Sequence, residues 1–105
     1  MTAASIANSS QNRRDTSVSV TVPSIADSTS DITIVMESAN ATVTGVSLGD
    51  TVSAAPQTAL PTDCHFLGAY VSAADTITFE FRATKNQPVT GAAVTFNLAI
   101  IDKTS

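Results

Sequence analysis

The side chains best equipped for chemistry in this 105-residue chain are few and adjacent. Asp63, Cys64 and His65 stand in a row and include the sequence's one Cys and its one His. A carboxylate, a thiol and an imidazole are the ingredients of an activated nucleophile. The spacing works against it. Successive side chains on a strand point to opposite faces, and His65 to Ala73 reads as a strand, so Cys64 and His65 should diverge. The expectation is a buried thiol beside a surface or interface imidazole. The other candidate carboxylates, Asp27, Asp31, Asp50 and Asp75, fall in or beside turns, where Asp commonly bonds nearby backbone N–H groups. No loop gathers the oxygens that calcium needs, and a lone Cys makes neither an intrachain disulfide nor a Cys-based zinc site. Phosphate-loop, dinucleotide-turn and nucleophile-elbow motifs are absent from the sequence. Asn8-Ser9-Ser10 and Asn40-Ala41-Thr42 match the glycosylation acceptor pattern, as chance provides in a chain so rich in Ser and Thr. A single Tyr, Tyr70, and no Trp offer no platform for stacking sugars. The sequence therefore reads as a non-enzyme with no cofactor, no metal and no small-molecule substrate.

Composition sets the frame for these residues. The length fits one domain. Hydrophobic residues make up 43% of it, enough for a small core. Charged residues make up 13%, about half of what a free monomer usually shows. That shortage, with a positive mean hydropathy, is expected of a chain that hides surface against other chains. Net charge is -4 and there are five Lys and Arg, of which Arg13 and Arg14 adjoin. This excludes the clustered cations that nucleic acid requires. No apolar run approaches the ~20 residues that span a bilayer, so no membrane partner is expected. The opening MTAASIANSSQNRR lacks the basic-then-apolar order of a secretory signal and reads as the true start.

The elements that must position the side chains are strands. Thr, Ser, Ala and Val dominate, and β-branched residues suit a pleated surface. Residues 1–15 show no period and read as a flexible N-terminal arm, with 16–105 as the β-sandwich domain. Within it, Ser17 to Val22 alternates, with Val18, Val20 and Val22 inward, and Pro23 ends the run. Asp31 to Met36 reads as a second strand with Ile32, Ile34 and Met36 inward and Val35 on the other face. Asn40 to Val46 is a weaker strand, and Thr51 to Ala55 is a short one. His65 to Ala73 is longer, with Gly68 hinting at a bulge. Thr76 to Arg82 puts Ile77, Phe79 and Phe81 in the core, and Thr78, Glu80 and Arg82 outside. Ala92 to Ile101 faces Ala92, Val94, Phe96, Leu98 and Ile100 inward and leaves Ile101 exposed. Phe79, Phe81 and Phe96 are expected to form the centre of the core. The fold class is all-β: an antiparallel β-sandwich or jelly roll of six to eight short strands.

The second half of the chain also resembles a known family. Gly49-Asp50, Thr51-Val52, Ala59-Leu60-Pro61, Val71-Ser72-Ala73-Ala74-Asp75, Thr76-Ile77-Thr78-Phe79 and Gly91-Ala92-Ala93 follow one another as in a small β-module of tailed-bacteriophage virion proteins. Val22-Pro23-Ser24-Ile25-Ala26 resembles the stretch that opens that module. The likeness runs over about residues 16 to 102. It departs from the family at Pro56, where a double Pro is common. The resemblance implies a virion structural role and supplies no catalytic residues. With only the module and a short arm, the implied protein is a capsid decoration (cement) protein, made in the host cytoplasm and carried on the capsid surface. Its implied partner is the major capsid protein, and its implied assembly a homotrimer. Ile6, Arg13 and Arg14 are the candidates for contact with the shell, and Val35 and Ile101 for contact between subunits. A tail-fibre or receptor-binding module is the competing reading, and a host hydrolase or lectin the third.

Overall fold

The structure, a computed structural model, describes residues 13–26, 36–84 and 87–103. Six strands run through them: β1 (Arg13–Val22), β2 (Met36–Thr42), β3 (Thr51–Pro56), β4 (Cys64–Ala73), β5 (Thr76–Ala83) and β6 (Ala92–Ile101). They form two three-stranded antiparallel sheets, β1-β6-β3 and β2-β5-β4. β4 and β5 are joined within one sheet; the four other connections pass from one sheet to the other.

Alternation drives each element. Val20 and Val22 from β1, Ile77, Phe79 and Phe81 from β5, and Val94, Phe96, Leu98 and Ile100 from β6 are buried in one cluster. Phe96 belongs to one sheet and Phe66, Phe79 and Phe81 to the other, and its ring centroid lies 4.9 Å from that of Phe66 and 5.0 Å from that of Phe79. Tilted ring pairs at this distance suit the aromatic quadrupole. Ala74 and Asp75 make the two-residue turn between β4 and β5. Asp75 has φ 62°, a left-handed conformation that Asp tolerates better than most residues. Ile25 pairs with Val89 beyond the ends of β1 and β6. There Gly91 passes so close that a Cβ on it would lie 2.3 Å from the Val22 carbonyl oxygen.

Several expectations are corrected. β1 begins at Arg13, so Arg13, Arg14 and Asp15, read as the end of the arm, pair with Ile101, Ile100 and Ala99. Met36, expected inward, is 64% exposed. The cause is parity: Ala41 and Val43 are buried, and Met36 is an odd number of positions from both. The expected strands over Asp31–Met36 and Asn40–Val46 are replaced, where described, by β2; Asp31 to Val35 lie outside the described residues. Phe66, left out of the expected aromatic centre, packs against the three other Phe rings. The register of β4 shifts between Phe66 and Gly68, a bulge that turns Phe66 to the core and leaves Leu67 outside. Thr78 is on the outer face as expected yet only 7% exposed. Ala92, expected inward, is exposed at the start of β6.

Candidate functional site

Cys64 and His65 open β4 and diverge. Cys64 is buried among core residues, and burial pushes its thiol up from the ordinary value, because an apolar surrounding disfavours the thiolate. His65 is exposed on the other face, with Nε2 2.9 Å from Thr84 Oγ1. Asp63 precedes them at φ 65°, and its carbonyl accepts the Thr84 N–H at 2.7 Å. Cys64 and His65 thus point to opposite faces, and no hydrogen bond or ion pair joins either side chain to the Asp63 carboxylate.

The carboxylates hold loops together. Asp50 accepts the Ser47 N–H at 2.9 Å through Oδ2 and the Lys103 N–H at 3.0 Å through Oδ1. Asp75 accepts the Gly45 N–H at 2.7 Å through Oδ1, while its own backbone bonds Val43 and Val46. Both join the β2–β3 loop to the ends of other strands. Among the described residues no three His, Cys, Asp or Glu side chains gather as a metal would require.

The two arginines do not form a joint basic patch. Neighbours on β1, they alternate across it. Arg13 Nε bonds Asp15 Oδ1 at 3.0 Å, both side chains exposed. Arg14 Nη1 donates to the Thr44 carbonyl oxygen at 2.7 Å, spanning the gap between the β1 edge and the end of β2. Ile101 closes β6 at 47% exposure, opposite Arg13 on one side and Thr51 on the other. Ile6 and Val35, the remaining candidates, lie outside the described residues.

What the register brings together, and the residue-by-residue reading did not assemble, is the outer face of β2-β5-β4. Met36 and His65 flank Arg82, Ser38 and Gly68 flank Glu80, and Asn40 and Tyr70 flank Thr78. Thr78 Oγ1 lies 2.7 Å from both Asn40 Oδ1 and Ser72 Oγ. Its one proton goes to the amide oxygen, which leaves Ser72 to donate. Met36, Leu67 and Tyr70 rise around this polar row, the last two each 48% exposed. Met36, Glu37, Ser38, Leu67 and Glu80 line a shallow depression of about 250 Å³. Glu80 and Arg82 make no hydrogen bond or ion pair with the described residues. The signal for this face is period two: Met36-x-Ser38-x-Asn40 and Thr78-x-Glu80-x-Arg82 are legible rows, but their adjacency requires the pairing register. The opposite outer face, of β1-β6-β3, carries Ser17, Ser19, Thr21, Ser53, Ala55, Thr95, Asn97 and Ala99, all small or uncharged, with the Arg13–Asp15 ion pair and Ile101 at one end. Comparison with known proteins finds no protein-family model, no curated protein and no solved structure that matches the chain.

Proposed function

We propose that this chain is a virion structural protein: a capsid decoration protein that binds the outer surface of a phage head and ties neighbouring major capsid subunits together. The observation that carries the reading is the outer surface of the two sheets. Outside Arg13, Asp15, Glu80 and Arg82 its strands present small and uncharged side chains, with Met36, Leu67, Tyr70 and Ile101 exposed among them, and the carboxylates Asp50 and Asp75 are engaged in holding loops. Such a surface suits protein contact over chemistry on a bound small molecule. The resemblance of Val71 to Phe79 to phage virion modules gives the contact its setting. In this reading the two sheets pack as a β-sandwich, joined by the Phe66, Phe79, Phe81 and Phe96 rings. Subunits assemble as homotrimers, with Ile101 at the contact. The mechanical task is to bridge shell subunits against the outward pressure of packaged DNA.

The test is to locate the protein in purified virions by electron microscopy and to measure its copy number. Many copies spread over the head support the proposal. A few copies on the tail assign the chain to a fibre or receptor-binding tip, and absence from the particle overturns both.

A further inference from the structure

We infer that the outer face of the β2-β5-β4 sheet binds a second copy of the chain about a two-fold axis that lies in the interface, perpendicular to β5 and level with Phe81. The inference does not rest on the virion reading. Among the described residues five large hydrophobic side chains stand exposed, and three of them, Met36, Leu67 and Tyr70, are on this one face. On a monomer each would keep apolar surface in water.

Charge selects the occupant and the axis. Glu80 and Arg82 sit two residues apart on the central strand, hence on the same face and roughly 7 Å apart along it. Neither has an ion-pair partner among the described residues. A second copy turned about an axis parallel to the strands would set Glu80 over Glu80 and Arg82 over Arg82. Turned about an axis perpendicular to β5, level with Phe81, it sets Glu80 over Arg82 and Arg82 over Glu80. One rotation therefore pairs both charges at once, as an isologous contact requires. Met36 beside Arg82 and Leu67 at the bulge beside Glu80 then close over the paired charges from the two outer strands.

The size of the patch sets the strength. Three strands about 4.8 Å apart, over the rows from Thr78 to Arg82 at about 3.3 Å per residue, cover roughly 240 Å². A standard stable interface buries about 800 Å² per partner. The pairing is consequently weak and concentration-dependent.

Sedimentation equilibrium from about 10 µM to about 1 mM spans the range where so small an interface saturates. The wild-type mass should double across it, whatever the basal particle is. Glu80→Arg and Arg82→Glu should each weaken the doubling about tenfold or more, because like charges then face each other. An equimolar mixture of the two variants should regain it, since each supplies the charges that the other lacks. The double variant Glu80→Arg/Arg82→Glu should regain it alone, which separates lost pairing from lost folding. A wild-type mass that stays constant overturns the inference, and so do single variants that associate like wild type. Failure of both the mixture and the double variant to regain the doubling overturns it as well. None of these outcomes bears on whether the protein is found on virions.

Discussion

Phe96→Ala should be the most damaging single truncation in the molecule. Phe96 is fully buried on β6 and is the ring of its sheet that touches all three rings of the other. Truncating a buried Phe costs about 3–5 kcal/mol, through lost transfer free energy and the cavity left behind. The upper half of that range is expected, because each ring pair adds about 0.5–1.5 kcal/mol beyond its buried area. A domain of this size has about 5–15 kcal/mol in total, so the variant keeps a fold only if the wild type stands well above the lower bound. Near the midpoint, 1 kcal/mol moves Tm by about 4–8 °C for a domain of this size, so a cost of about 4 kcal/mol or more places the expected drop above about 16 °C. Thermal denaturation followed by circular dichroism measures the drop and urea denaturation the free energy, with Thr95→Ala on the other face of the same strand as the control. A double-mutant cycle with Phe79→Ala should return a coupling of about 0.5–1.5 kcal/mol. Equal losses for Phe96→Ala and Thr95→Ala would mean that β6 is shifted by one residue and that the four rings do not form the core.

Other variants probe the remaining features. Thr78→Ala should cost about 1–2 kcal/mol, since it removes hydrogen bonds to Asn40 and Ser72 from a nearly buried site, whereas Thr76→Ala, whose hydroxyl bonds the Ala74 carbonyl at 3.3 Å, should cost less in the same denaturation assay. Gly91→Ala should cost about 1–3 kcal/mol, as overpacking does, because its Cβ would meet the Val22 carbonyl oxygen and the Ser24 nitrogen; a thermal scan that matches wild type would refute the close approach. Cys64 has a raised folded pKa, so the folded state holds the thiol proton more tightly than the unfolded one. Its contribution is present in full below the unfolded thiol value and is lost as pH rises through the folded one. Stability measured against pH should therefore fall more steeply in that alkaline window for wild type than for Cys64→Ala, and a disulfide reagent should modify Cys64 in the native protein far more slowly than after denaturation.

The strands that reveal themselves are those with one strong parity. Thr76 to Phe81 alternates between β-branched or charged residues and large apolar ones, and β5 buries Ile77, Phe79 and Phe81 as that pattern requires. β6 follows for the same reason, except that Ala92 is too small and too close to the strand's end to be covered. β2 misleads because two parities compete. Ile32, Ile34 and Met36 suggest one inward set, while the small Ala41 and the following Val43 occupy the core. Small side chains carry a weak hydrophobic signal, yet they leave room for facing Phe rings. His65-Phe66-Leu67-Gly68-Ala69-Tyr70 is apolar on both faces, and only the bulge decides which face each residue joins. The candidate surface is assembled from residues far apart in the chain. Thr78, Asn40 and Ser72 meet through cross-strand pairing, and Arg14 reaches Thr44 thirty residues away. No local pattern encodes either contact.

The pairing of β1 with β6 also governs how the chain must be made. Arg13 pairs with Ile101 and Val22 with Ala92, so β1 leaves the ribosome long before its partner exists. At roughly 5–20 residues per second, the wait between Val22 and Ile101 lasts about 4–16 s. Throughout it, Thr16 to Val22 is a run of seven residues with high strand propensity and with no charge, glycine or proline among them. Nascent chains on one message carry the same run, and like segments can pair in place of the correct one. β4 and β5 meet this hazard least, because a two-residue turn lets them join as soon as they emerge. Yield in a producing cell should therefore depend on elongation speed and on chaperones that shield β1, and chains stopped before Ala92 should collect in aggregates.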